Sequence, residues 1–282
     1  MMHCSTQDAS MVDQWRRRRF VTALLAGGTV LAAAATTALH ADEQDDDSLP
    51  DPGTLVERHV EAIGGEEAIK KHESTTLRGT VEMPGMGMNG EMTIYAAQPD
   101  RLYSEMNMPG AGEFKQGYDG DVGWMTSQMT GPMLMEEEQL QEFRRQADFY
   151  NDLNFLKHYD DITVAGRTEF ENADAYHVKA TLDDGEPVHY YFDAEDGFLI
   201  GRRAWQETGM GRAEATIIFE EYTEHDGVKI ATVIRNKMQG METIVNITDV
   251  EFNTVDDSVF DLPDDIQRLV ERRREQNTSD DN

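Results

Sequence analysis

Cysteine is almost missing from this chain: among 282 residues there is one, Cys4, and it lies upstream of the first apolar run. A single thiol excludes an internal disulfide and a multi-thiolate metal site, and its position excludes a lipobox cysteine. Lysine is scarce, seven against eighteen arginines, and basic residues are outnumbered by 55 Asp+Glu, for a formal charge of −30. That balance excludes nucleic-acid binding through a basic face. Recognisable catalytic spacings are missing too. There is no G-x-S-x-G elbow, no HExxH, no phosphate-binding glycine loop and no dinucleotide fingerprint, so no enzyme activity, catalytic residue or cofactor is expected. With 39 % hydrophobic residues and a mean hydropathy of −0.61, the chain is too polar for a polytopic membrane protein but can pack a core.

The longest apolar run is near the start. Arg16, Arg17, Arg18, Arg19 and Phe20 precede an Ala- and Leu-rich stretch from Val21 to Ala38, with cleavage offered after Ala38 or Ala41. Residues 1–41 therefore read as an export signal, either twin-arginine or ordinary secretory. The expected location is periplasmic or otherwise exported, soluble after cleavage. Removing this segment leaves 21 basic and 53 acidic residues, a net of −32. Such an excess resembles adaptation to salty surroundings, where counter-ions screen self-repulsion. Residues 42–52 lack apolar periodicity and read as an acidic linker; residues 266–282 read as a short helix and a polar tail.

Between these ends the period of hydrophobicity changes. Leu55, Val56, His59, Val60 and Ile63 recur at helical intervals behind a capping-box spacing at Thr54 and Glu57, and Gly64-Gly65 ends that helix. A short helical turn follows through Glu66, Ala68 and Ile69. From Thr75 onward alternation dominates. Leu77, Val81 and Met83 oppose Arg78, Thr80 and Glu82; Met92, Ile94 and Ala96 repeat the pattern; Leu102, Met106 and Met108 oppose Arg101, Tyr103 and Glu105. A fourth strand carries Phe114, Gln116 and Tyr118. A helical period returns at Leu140, Phe143, Ala147 and Tyr150, and seven more strand candidates follow from Ile162 to Phe252. The reading is α+β, mainly antiparallel β, in one domain over 53–265 with about eleven strands.

The ordered set AIGGEEAIKK, LRGTVEMPG, YAAQPDRLYSEM, GYDGDVGW, a central helix, HYYFDAEDGFLIGR, EHDGVKIA and VFDLPDD resembles the periplasmic outer-membrane lipoprotein carrier (LolA-like) superfamily, from about Thr54 to Asp265. The resemblance implies an incomplete, half-open β-barrel with helices as a lid around an apolar concavity that holds acyl chains, as in outer-membrane lipoprotein sorting. It also implies a lid-holding arginine on an early strand, best matched in position by Arg101 after Pro99-Asp100, with Arg78 as the alternative match.

The residues lead to a compatible expectation. A sheet with one apolar face must cover it with helices, another sheet or a ligand. The candidate ligand-contacting set is Met92, Ile94, Leu102, Met106, Phe114, Tyr118 and Trp124 from the strands, with Leu140 and Phe143 from the lid helix. The expected partner is a hydrophobic acyl-chain ligand or lipoprotein, with envelope proteins as further partners. Methionine supplies a second reading. Thirteen of the 16 follow the signal, and Met83, Met86 and Met88 with Met92 have a spacing suited to Cu(I), although thioethers equally suit an adaptable apolar pocket or ordinary core filling. An accessory envelope domain without a small ligand is the third. Six histidines follow the signal, and His177 and His189, among tyrosines, are expected to pack across strands; no metal site is expected.

Overall fold

The computed structural model describes residues 49–182, 185, 187–208 and 211–280. The expected signal and most of the acidic linker lie outside the described residues.

The first helix, α1 (Pro52–Ala62), begins two residues before the expected cap. Asp51 is the N-cap, its Oδ1 accepting the Thr54 amide at 3.0 Å, and Pro52 occupies the first turn, where its missing N–H costs nothing. A carboxylate with a proline behind it thus displaces the Thr54–Glu57 box. A single turn, α2 (Glu66–Ile69), leads into the sheet.

Among the described residues thirteen strands form one antiparallel sheet. Six run outward from the centre: β1 (Ser74–Met83), β2 (Met88–Ala97), β3 (Arg101–Met108), β4 (Gly112–Tyr118), β5 (Gly123–Ser127) and β6 (Gly131–Leu134). The chain then crosses through α3 (Glu137–Ala147) and α4 (Asn151–Asn154) to the opposite edge. From there it returns inward as β7 (Asp161–Phe170), β8 (Ala173–Thr181), β9 (Val188–Asp193), β10 (Leu199–Thr208), β11 (Gly211–His225), β12 (Val228–Met238) and β13 (Met241–Phe252). β13 pairs with β1, so two meanders join at their centre and β6 and β7 remain as the edges of an unclosed sheet. β5 and β6 are the strands additional to the eleven expected. They are five and four residues long, and Pro132 interrupts the pattern that would announce them.

The C-terminal end is not a free tail. A 3₁₀ turn over Asp257–Phe260 packs against β3, and α5 (Asp264–Asp280) packs against β6, burying Phe260 and Ile266. The polar segment after Arg274 continues this helix to Asp280. Among the described residues no helix is long and apolar enough to cross a membrane.

Candidate functional site

Strand register assigns the two faces of the sheet. Leu77 lies opposite Ile94, Met92 opposite Met106, Met106 opposite Phe114, and Leu102 opposite Tyr118, so alternation puts all of these on one face. In the other meander the same face runs from Val245 to Ile234 to Phe219 and, one row along, from Asn236 to Ile217 to Arg202 to Tyr190. The helices cover this face at its two flanks. Phe143 and Ala147 of α3 bury themselves on Tyr118 and Met135, with Leu102, Met125 and Leu140 packed around them. Leu55 and Val56 of α1, with Phe155, do the same on Val178, Tyr190 and Phe192.

One helix thereby measures the curvature. α3 touches β4 through Phe143 and Tyr118, and β10 through Glu142 and Arg202. These strands are seven steps apart in the sheet. Flat, they would be separated by about 34 Å, at about 4.8 Å per step, whereas a helix with its side chains is only about 10–12 Å across. The sheet must therefore curl, with α3 bridging its mouth. Between the two buried flanks lies a floor of partly buried apolar side chains: Met92, Ile94, Met106 and Phe114 from one meander, Ile217, Phe219, Ile234 and Val245 from the other.

The expected ligand set divides accordingly. Met92, Ile94, Met106 and Phe114 are on the floor, while Leu102, Tyr118, Leu140 and Phe143 form the α3 flank. Trp124 is elsewhere: it pairs with Gly117, one residue out of phase with Tyr118, and so lies on the opposite face of the sheet. Its indole fills the space above Gly117, where an added Cβ would meet the ring at 2.9 Å, and it stacks on Tyr103, with ring centroids 6.0 Å apart. Trp124 is 3 % exposed and serves the outer packing. Arg101 also faces outward. It donates to Asp257 Oδ1 at 3.0 Å and lies 4.8 Å over the Phe260 ring, so it fixes the C-terminal turn and not the α3 lid. The methionines of the copper reading are spread out: Met83 pairs with Met88 beside the turn, Met86 is 58 % exposed at its tip, and Met92 lies on the floor opposite Gly79.

The residues that do hold α3 had no signal of their own. Arg202, on β10, donates from Nη2 to Glu142 Oε1 at 2.5 Å, and Arg145 donates to Glu142 Oε2 at 2.6 Å. Burial works against the charge on Glu142, but Arg202 and Arg145 outweigh it and keep the carboxyl below its usual range. Burial also opposes the charge on Arg202, which Tyr190 and Glu142 restore. Arg144 adds a hydrogen bond to the Tyr118 hydroxyl at 3.0 Å. Parity gave no clue either: a bulge between Leu199 and Gly201 shifts the phase of β10, so Ile200 packs on the outer face while Leu199, Arg202 and Ala204 face inward.

The α1 flank is filled by the protein itself. His59 Nδ1 accepts the Leu199 amide at 3.2 Å and its Nε2 lies 3.5 Å from Asp152. The space left among His59, Phe155, Tyr190 and Phe192 is about 30 Å³, room for a few waters at most and far short of an alkyl chain. A wider open groove of about 540 Å³, lined by Glu57, Arg58, Glu61, Glu195 and Asp196, is too polar for an alkyl chain. On the outer face, His177 Nε2 and His189 Nδ1 share a hydrogen bond at 2.8 Å, and Tyr191 stacks on His177.

No protein-family model matches the sequence, and no curated protein does. Solved structures match the fold. A LolA superfamily protein from Nitrosomonas europaea aligns with a TM-score of 0.52 at 13 % identity, over 76 % of this chain and 99 % of that one. A DUF1329 family protein from Desulfovibrio piger aligns with a TM-score of 0.52 at 12 % identity, over 75 % and 98 %. The chain thus has the LolA-like fold, an open antiparallel β-barrel with covering helices, in a form far diverged in sequence.

Proposed function

We propose that this is an exported binding protein, not an enzyme, that holds the acyl chain of a lipid or lipoprotein against the floor of the half-barrel beneath α3. The observation that carries this reading is the split core: two buried clusters flank a strip of partly buried Met, Ile, Val and Phe side chains, closed at one end where Val81 and Met108 are buried on the same face. An alkyl chain laid on that strip gains about 0.8 kcal/mol per buried methylene, so ten methylenes contribute about 8 kcal/mol before ordering costs. That is the scale of micromolar affinity. Methionines at Met92 and Met106 adapt to chains of varied shape. The LolA-like fold supports the same reading.

Native mass spectrometry of protein purified without detergent, then offered lipid extract, tests it. Acyl-bearing adducts that dissociate on collisional activation are expected. A spectrum of bare protein under both conditions would overturn the proposal.

A further inference from the structure

Arg202 is out of place on an apolar inner face. Its side chain is 14 % exposed, and among the described side chains it meets α3 from Nη2 to Glu142 Oε1 at 2.5 Å. Its Nε is buried and has no hydrogen-bond partner. Two strands further along the same row, Asn236 has a buried Oδ1 that is also unpartnered. Buried polar atoms usually find partners, and each orphan costs free energy.

The geometry of Glu142 explains the orphan at Nε. Tethered to α3 and shared with Arg145, its carboxylate reaches Arg202 at one nitrogen. An untethered anion has no such constraint and can span Nε and Nη2 side-on, the two-point pairing in which guanidinium binds carboxylate and phosphate best. We propose that the acyl ligand is a single-chain amphiphile with an anionic head, a carboxylate or a phosphate, and that the head displaces Glu142 from Arg202. Glu142 is then an internal stand-in for the ligand head, and its release frees one of the holds on α3. This rests on the acyl-binding reading above and adds the head-group chemistry to it.

Binding of hexadecanoic acid, hexadecyl phosphate and hexadecan-1-ol to the whole protein at neutral pH, by displacement of a fluorescent alkyl probe, tests this. The acid or the phosphate is expected to bind about tenfold or more tightly than the alcohol, the scale of a charge-assisted hydrogen bond, and whichever binds tighter identifies the head. Arg202→Met is expected to erase the preference while still binding the alcohol. Should that variant fold poorly, Arg202→Lys keeps a charge without the two-point geometry and is expected to lower the preference severalfold. Glu142→Gln removes the internal competitor and is expected to tighten the anions alone. Equal binding of all three ligands, or a preference that survives in both Arg202 variants, overturns the head-group inference and leaves acyl binding intact. No binding of any of the three counts against acyl binding itself.

Discussion

Arg202 and Glu142, sixty residues apart in sequence, meet at 2.5 Å and tie the helix that crosses the mouth of the sheet to a strand on its far side. Because α3 is also anchored to β4 through Phe143 and Tyr118, this pair closes a bridge over the floor. Its loss should be felt locally. Arg202→Met leaves Glu142 with Arg145 as its cationic partner and is expected to destabilise the protein by about 1–3 kcal/mol. Hydrogen exchange should show faster opening of 137–147 with the β1–β13 amides unchanged. Equal acceleration across the sheet would mean that the pair supports the whole fold and is not a hold on the lid.

The same pair gives an acid limit. The Glu142 carboxyl is held below its ordinary value of 4.5 by Arg202 and Arg145 against burial. A depressed carboxyl stabilises fully above that ordinary value and loses its effect as pH falls through the folded-state value. Amide protection over 137–147, corrected for the intrinsic pH dependence of exchange, is thus expected to fall below about pH 4.5 in the wild type and to stay constant across that window in Glu142→Gln. A wild-type helix that opens no faster in acid contradicts the assignment.

His177 and His189 act in a higher range. Burial, with Lys179 and Arg203 nearby, lowers both from the ordinary 6.5. The unfolded chain then takes up protons before the native pair does, so stability is expected to fall as pH drops below about 6.5 and to be flat above it. Thermal melts from pH 8 to pH 5 check this. His189→Gln should flatten the decline; an unchanged slope would locate the titration elsewhere.

Trp124 separates packing from binding. As it lies on the outer face over Gly117, Trp124→Ala is expected to cost about 3–5 kcal/mol of stability. Acyl binding by the folded fraction should not change. Met106→Asp, on the floor, should have the reverse bias: a smaller loss of stability and a large loss of binding. Matched effects of both variants on binding would remove the two-face assignment.

What the sequence revealed follows from periodicity. In β1 to β4 the inward phase is mostly apolar, broken by Ser104 and Gln116, and that alternation makes the inward set Leu77, Met92, Ile94, Leu102, Met106 and Phe114 readable from the sequence. Trp124 was misplaced because the Asp119–Val122 turn resets the phase, and a residue next to a turn inherits no parity from the strand before it. Arg101 follows an early turn as the family resemblance asks, but odd parity on β3 sends it outward to Asp257. The lid's actual hold depends on which strand curls beneath α3, a long-range relation that no local pattern encodes. The C-terminal helix was cut short for a related reason: its polar residues give no apolar stripe, and its docking depends on Ile266 reaching a buried site by β6.

The central claim is that alkyl chains lie on the inner floor. Photolabelling with a diazirine-bearing fatty acid, followed by peptide mapping, tests it most directly. Adducts are expected on β2, β3 and β4 at Met92, Met106 and Phe114 and on β11 and β12 at Phe219 and Ile234, with competition by unlabelled fatty acid. Labelling confined to outer-face residues such as Trp205, or labelling that unlabelled fatty acid does not suppress, would contradict it.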